Sequence, residues 1–336
     1  MSLYTAETRR LTKRRFTRFF VLGTLLVLAA VVVGMFLSNH KPSPERLASA
    51  QAEAAREYDR AVQQSAKEKA DCQAAQGTAA AQNYPPSCEE LYQPTREDFQ
   101  AEWYMPPTFD FREQFVFLVV ALAALLAMTA FVIGATFVGA EWSSGGMMNL
   151  LLWRPQRLKV LGTKLAALLV SLAVFTVVVT AVWTGLFVLI ARLRGTMAGM
   201  TSGAWQSVLL MELRGLVLVL VAGAVGFGLA SLGRHTAMAL GAAIGTIIVF
   251  QFGLGTVLSM AKVPFVDAYL VPVWVEAWLN KSAEATDWNS CDFSSTSGCE
   301  PATVTITWPM AGGLLALVFV LVVGAAMWTM RSRDIT

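Results

Sequence analysis

Six apolar runs of membrane length alternate with polar segments along the chain, and that alternation predicts its elements. The runs fall at 19–37, 113–140, 161–191, 215–233, 236–260 and 309–330. A bilayer hydrocarbon core of about 30 Å needs roughly 20 apolar residues per helix, so each run predicts a membrane span. Residues 1–18 place Leu11 and Phe16 among cations, the pattern of a short interfacial helix, with a disordered basic tail as the alternative. The polar insertion 38–112 repeats Leu47, Ala50, Ala54, Tyr58, Ala61 and Ser65 at three-and-four spacing, which predicts a long alanine-lined helix broken by 77–86. Phe99, Trp103, Tyr104 and Met105 then precede Pro106 and Pro107 as expected anchors at a membrane interface.

Of the remaining segments, 141–160 is short and charged, 192–214 is an outer loop and the start of the fourth span, and 331–336 is a tail. The segment 261–308 is too apolar and aromatic for an ordinary loop, yet Pro264 and Pro272 split it. It reads as a re-entrant stretch or an interfacial helix. The expected fold is therefore an all-α polytopic membrane protein with six transmembrane helices, an N-terminal interfacial helix and a helical insertion between the first two spans.

Composition agrees: 55% of residues are hydrophobic, 15% are charged, and mean hydropathy is +0.54, values that exclude an ordinary soluble domain. The net charge of +3 matters through its placement. Arg9, Arg10, Lys13, Arg14, Arg15 and Arg18 precede the first span, which predicts a cytoplasmic N-terminus. Six spans return the C-terminus to the same side. Arg154, Arg157, Lys159, Lys164, Arg234, Arg331 and Arg333 then fall inside, with Glu7, Glu141 and Asp334 as the acids there. Arg192, Arg194 and Arg214 fall outside. The first run is too long for a signal peptide and lacks a cleavage pattern, so it reads as a retained span. On this topology Cys72, Cys88, Cys291 and Cys299 all face outside, where disulfides form; the local pairing is Cys72 with Cys88 and Cys291 with Cys299, and free thiols are the alternative.

Catalytic and nucleotide-binding motifs are missing. No G-x-x-x-x-G-K-[ST] loop occurs, so any ATP belongs to another chain. His40 and His235 stand apart from other ligands, and neither H-E-x-x-H nor G-x-S-x-G is present, so neither a metal site nor a hydrolase is expected. His235 beside Arg234 reads as the end of a span. Glu212 and Arg214 either line a path or sit at the outer interface, paired with each other or with headgroups. The spans otherwise hold few charges, which argues against an ion-coupled carrier. Gly241 with Gly245, and Gly226 within a small-residue stripe, are expected at close helix contacts.

The segment 141–164, EWSSGGMMNLLLWRPQRLKVLGTK, joins two spans through a charged turn. Gly145 and Gly146 loosen the helix, Met147 to Trp153 form an apolar patch, and Pro155 restarts the chain beside Arg154, Arg157 and Lys159. This segment resembles the E-x-x-x-G…LL…P-x-x-R…K pattern of ABC-2-type permeases, with Glu141, Gly145, Leu151, Leu152, Pro155, Arg157 and Lys164 at the matching positions. Arg157 comes one residue early, and Gly146-Met147 replaces the usual Gly-Thr. The N-terminal ETRRLTKRRFTRFF is similar to the family's connecting helix.

The resemblance implies a permease subunit of an ATP-binding cassette exporter. Its partners would be a separate ATPase carrying ATP and Mg²⁺, a second permease copy or relative, and membrane lipid, with no nucleic acid. Contact with the ATPase is expected at Glu141, Gly145, Met147, Met148, Arg154, Pro155 and Arg157. The apolar spans favour an amphipathic or hydrophobic cargo such as a peptide antibiotic, lipid or drug. Arginine and alanine usage points to a bacterial plasma membrane. A membrane-embedded sensor or scaffold, receiving a signal on the outer insertion, is the alternative reading.

Overall fold

The computed structural model describes residues 3–41, 43–153, 156–287, 290 and 301–332. Arg154, Pro155, Cys291, Cys299, Arg333 and Asp334 lie outside the described residues. In chain order the helices are α1 (Leu3–Lys13), α2 (Arg15–Ser38), α3 (Pro44–Ala75), α4 (Phe111–Ser143), α5 (Gly146–Trp153), α6 (Arg157–Arg194) and α7 (Ser202–Gly233). They continue with α8 (Thr236–Thr246), α9 (Gly255–Met260), α10 (Val271–Asn280) and α11 (Trp308–Ser332). A π-helical segment, Ile247–Leu254, joins α8 to α9. Strands β1 (Phe109–Asp110) and β2 (Gly195–Thr196) pair in parallel, and β3 (Ser282–Asp287) and β4 (Ala302–Thr307) pair antiparallel. Six helical stretches are long and apolar enough to span a bilayer: α2, α4, α6, α7, α8 through α9, and α11. The chain is an all-α polytopic membrane protein.

The chain divides into two compact units. The first holds residues 1–32, 112–187 and 199–336. Its centre is α4 against α7, whose buried positions recur at helical spacing: Phe115, Leu118, Leu122, Leu126, Ile133 and Phe137 on α4, and Met211, Leu218 and Phe227 on α7. Small residues let the two backbones touch. A Cβ at Gly226 would meet the Phe131 carbonyl, and one at Gly134 would meet the Gly223 carbonyl. Gly241 and Gly245 differ from the expectation, since a Cβ at either meets nothing within 4 Å. A GxxxG spacing permits a close approach but does not supply the partner.

Helix α7 begins at Ser202, within the stretch expected to hold an outer loop and the start of the fourth span. Thr201 caps it, its side chain accepting from the Ala204 N–H. Within the segment 261–308, α10 carries Pro272 in its first turn. Its 10 residues rise about 15 Å, half the hydrocarbon thickness, so it does not span. The β3–β4 hairpin that follows is an addition the hydropathy pattern did not predict. Ala283 and Ile306 of the hairpin close a small core with Ala277 of α10 and Ala311 of α11.

The second unit holds residues 33–111 and 188–198. Ser43 caps α3, accepting from the Arg46 N–H, with Pro44 at the first helical position. The segment 79–104 folds back along α3. Ser65 donates to the Tyr92 carbonyl, Lys69 pairs with Glu89 at 2.8 Å, and Cys72 forms a disulfide with Cys88. Phe99, expected as an interface anchor, packs its ring edge-on against Tyr58. Tyr92 and Thr95 hold Asp98: the Thr95 backbone N–H, then the Tyr92 and Thr95 hydroxyls, keep its carboxyl below the usual aspartate range.

Candidate functional site

At one end of the first unit α4 finishes at Ser143 and the chain turns through Ser144 and Gly145. Gly145 has φ +72°, a left-handed conformation that a side chain resists, so the glycine makes the break. Helix α5 follows. Met147 and Leu151, one turn apart, are buried on its inner face. Leu152 and Trp153 point away and are 81% and 88% exposed. Met148 is half-buried.

Glu141, just ahead of this segment in the chain, belongs to a cluster of charges drawn from three helices and one junction. Lys164 in α6 is fully buried, and its Nζ lies 2.6 Å from Glu7 Oε2 of α1 and 2.6 Å from Glu141 Oε2 of α4. Glu141 Oε1 takes a second cation, Arg14 Nη2 at 3.4 Å, and Arg10 approaches Glu7 at 3.5 Å. Arg14 occupies the break between α1 and α2 and donates to the Thr136 and Phe137 carbonyls at 2.8 Å. Burial lowers its pKa, while Glu141 and then Glu7 push the other way. The Phe137 ring lies 5.3 Å from Lys164 Nζ and 5.5 Å from the Arg14 guanidinium.

Two buried carboxylates thus face two cations, with Arg10 as an exposed third. Removing such ions from water costs several kcal/mol each, an expense recovered only when every charge keeps its partners. The cluster therefore ties α1, the end of α4 and the start of α6 into one arrangement. On the open side Arg9, Arg10, Lys13 and Arg14 line a cleft of about 650 Å³ that reaches Glu141 and Gly146. Nearby, Arg234 has φ +53° just after α7, its guanidinium 5.1 Å over the Trp142 ring, and His235 caps α8 by accepting from the Ala237 N–H.

The residues expected at this site are therefore not equivalent. Glu141 and Met147, expected to touch a partner, are buried in this chain: Glu141 is paired with Lys164 and Arg14, and Met147 lies on the inner face of α5. Arg157, at the start of α6, is half-buried. The sequence reading missed Glu7, Arg14 and Lys164 as a unit. The clues were an acid inside a basic segment and a single lysine at the head of an apolar run.

Glu212 and Arg214, expected as a possible pair, do not meet. Positions two apart on a helix face different ways. Glu212 accepts a hydrogen bond from Thr184 of α6 at 2.5 Å, whereas Arg214 donates to the Trp278 and Leu279 carbonyls of α10. Trp278 returns a bond from Nε1 to the Arg214 carbonyl at 2.8 Å.

Six candidate spans, a basic helix ahead of the first and a short helix between the second and third are the framework of a polytopic membrane protein. The chain matches the model of the ABC-2 family transporter proteins over residues 3–332 and belongs to that family. No curated protein matches it.

Proposed function

We propose that this chain is the permease subunit of an ABC exporter and that α5 transmits the work of a separate ATPase. The observation that carries the reading is the exposed pair Leu152 and Trp153 on a short helix that follows directly on the α4 end whose Glu141 is held in the Glu7–Lys164–Glu141 cluster. An apolar tip on a rigid base suits insertion into a cleft of a partner, because aromatic anchors in pockets dominate binding energy. In sequence, Met148 precedes the tip and Arg154, Pro155 and Arg157 follow it. In this reading Glu141, Gly145 and Met147 position it.

Closure of an ATPase pair around ATP and Mg²⁺ would press on α5. The charge cluster would pass that displacement to α1, α4 and α6 together, biasing two packings of the spans. A second permease copy would complete the path, with both termini cytoplasmic in a bacterial plasma membrane. The cargo expected from the apolar walls is amphipathic or hydrophobic.

The test is purification of the chain from its native cell in mild detergent with an ATPase assay of the eluate. A stoichiometric ATPase that is lost on Leu152→Ala/Trp153→Ala supports the reading. Recovery of a regulator instead, with no ATPase, would favour the sensor alternative.

A further inference from the structure

A second cavity lies at the opposite end of α4 and α7 from the ion-paired cluster, with a volume of about 380 Å³. That is within the range of small-molecule sites. Its floor is apolar, from Val116 of α4 and Val208 and Met211 of α7. Its polar part contains Arg112, Arg214 and Lys281, and none of the residues lining it is acidic. Glu212, the nearest acid along α7, is bonded to Thr184 of α6 and does not line the cavity.

Two of the cations are hydrogen-bonded in place: Arg214 by its bonds to the Trp278 and Leu279 carbonyls, and Arg112 by donating to the Gly199 carbonyl at 3.4 Å; the Lys281 backbone takes a left-handed turn, φ +77°, at the end of α10. Trp308 N–H closes that turn on the Lys281 carbonyl at 2.8 Å. Asn280, also in the wall, buries its Oδ1 without a hydrogen-bond partner, an acceptor that a ligand hydroxyl would satisfy.

From this arrangement we infer that the cavity binds an amphiphile whose head carries an anionic group, a carboxylate or a phosphate monoester, with its chain along the Val116–Met211 floor. The three lining cations would give charge-assisted hydrogen bonds to the head, and a phosphate monoester also offers a hydroxyl to Asn280. That the ligand is the transported cargo rests on the permease reading; that the cavity binds it does not. The assignment narrows the cargo from any amphipathic or hydrophobic molecule to an acidic one.

The test uses the full chain in phosphatidylcholine nanodiscs, without any ATPase, and measures binding of dodecyl phosphate, dodecanoate, dodecanol and inorganic phosphate by thermophoresis. Dodecyl phosphate and dodecanoate should bind on the order of tenfold or more tighter than dodecanol, the ratio expected of one charge-assisted hydrogen bond. Arg112→Gln/Lys281→Gln should remove that preference and leave dodecanol unchanged. Arg214→Lys, which keeps the charge, should retain most of it.

Equal binding of dodecanol, or a preference that survives the double substitution, overturns the inference. Inorganic phosphate binding as tightly as dodecyl phosphate overturns its amphiphile part. Competition from phosphatidic acid, a lipid phosphate monoester, added to the disc supports it with a membrane lipid as ligand, and tight dodecyl phosphate binding without such competition supports it with a soluble one. A chain that binds dodecyl phosphate as described yet recovers no ATPase would sink the permease reading alone.

Discussion

Lys164 and Glu7, 157 positions apart, meet at 2.6 Å with both side chains buried. Neither charge is screened by water there, so the pair and its third member Glu141 hold together or fail together. Replacing Lys164 with methionine leaves two carboxylates buried without their ammonium. The cost of breaking a buried pair is about 3–5 kcal/mol. Thermal unfolding of Lys164→Met in detergent should therefore show a clear loss of stability, and Glu7→Gln/Lys164→Met should recover part of it. A single variant as stable as the parent would mean the ions are not buried as described.

Gly226 packs against the Phe131 backbone, whereas Gly241 has open space around it. Gly226→Val should push α4 and α7 apart and lower the melting temperature by several degrees, since overpacking costs about 1–3 kcal/mol. Gly241→Val should be nearly silent in the isolated chain. Comparing their melting curves distinguishes a glycine used inside the chain from one that is not.

Cys72–Cys88 closes a short loop on α3, with a sequence separation of 16. A bridge of that span contributes about 3 kcal/mol. Cys72→Ser/Cys88→Ser, or reduction, should expose the segment 79–104 to limited proteolysis. Cleavage at an unchanged rate would show that Lys69–Glu89 and the Tyr58–Phe99 contact suffice.

Asp98 has its carboxyl pKa lowered by the Thr95 backbone N–H, then by the Tyr92 and Thr95 hydroxyls. A carboxylate with a depressed folded pKa contributes stability above its unfolded value, and that contribution disappears as pH falls through the lower folded value. The local turn should thus persist below the ordinary Asp pKa of 3.8. Carboxyl NMR should place the Asp98 midpoint under that value, and Tyr92→Phe should raise it.

Leu152 and Trp153 are exposed and touch the core little. Leu152→Ala/Trp153→Ala should leave the chain's stability to unfolding within about 0.5 kcal/mol of the parent, as surface changes do, while, on the proposed coupling role, abolishing cargo-stimulated ATP hydrolysis by the complex with its ATPase. A loss of both together would make the pair structural.

The hydropathy runs alone marked six membrane-length helices and the all-α class, because a span announces itself in about 20 local residues. The break at Gly145 and the resemblance of 141–164 were equally local. Charge pairing is not. Glu7, Arg14, Glu141 and Lys164 each look like ordinary flanking charges in sequence, and only the packing of α1, α4 and α6 makes them one neutral cluster. The same holds for Arg214, whose neighbour Glu212 suggested a pair until the helix turned them apart. Spacing determined which residues share a face. What that face meets, and hence whether a glycine packs or a charge is neutralised, was decided only by the tertiary fold, because partners distant along the chain leave no local periodicity.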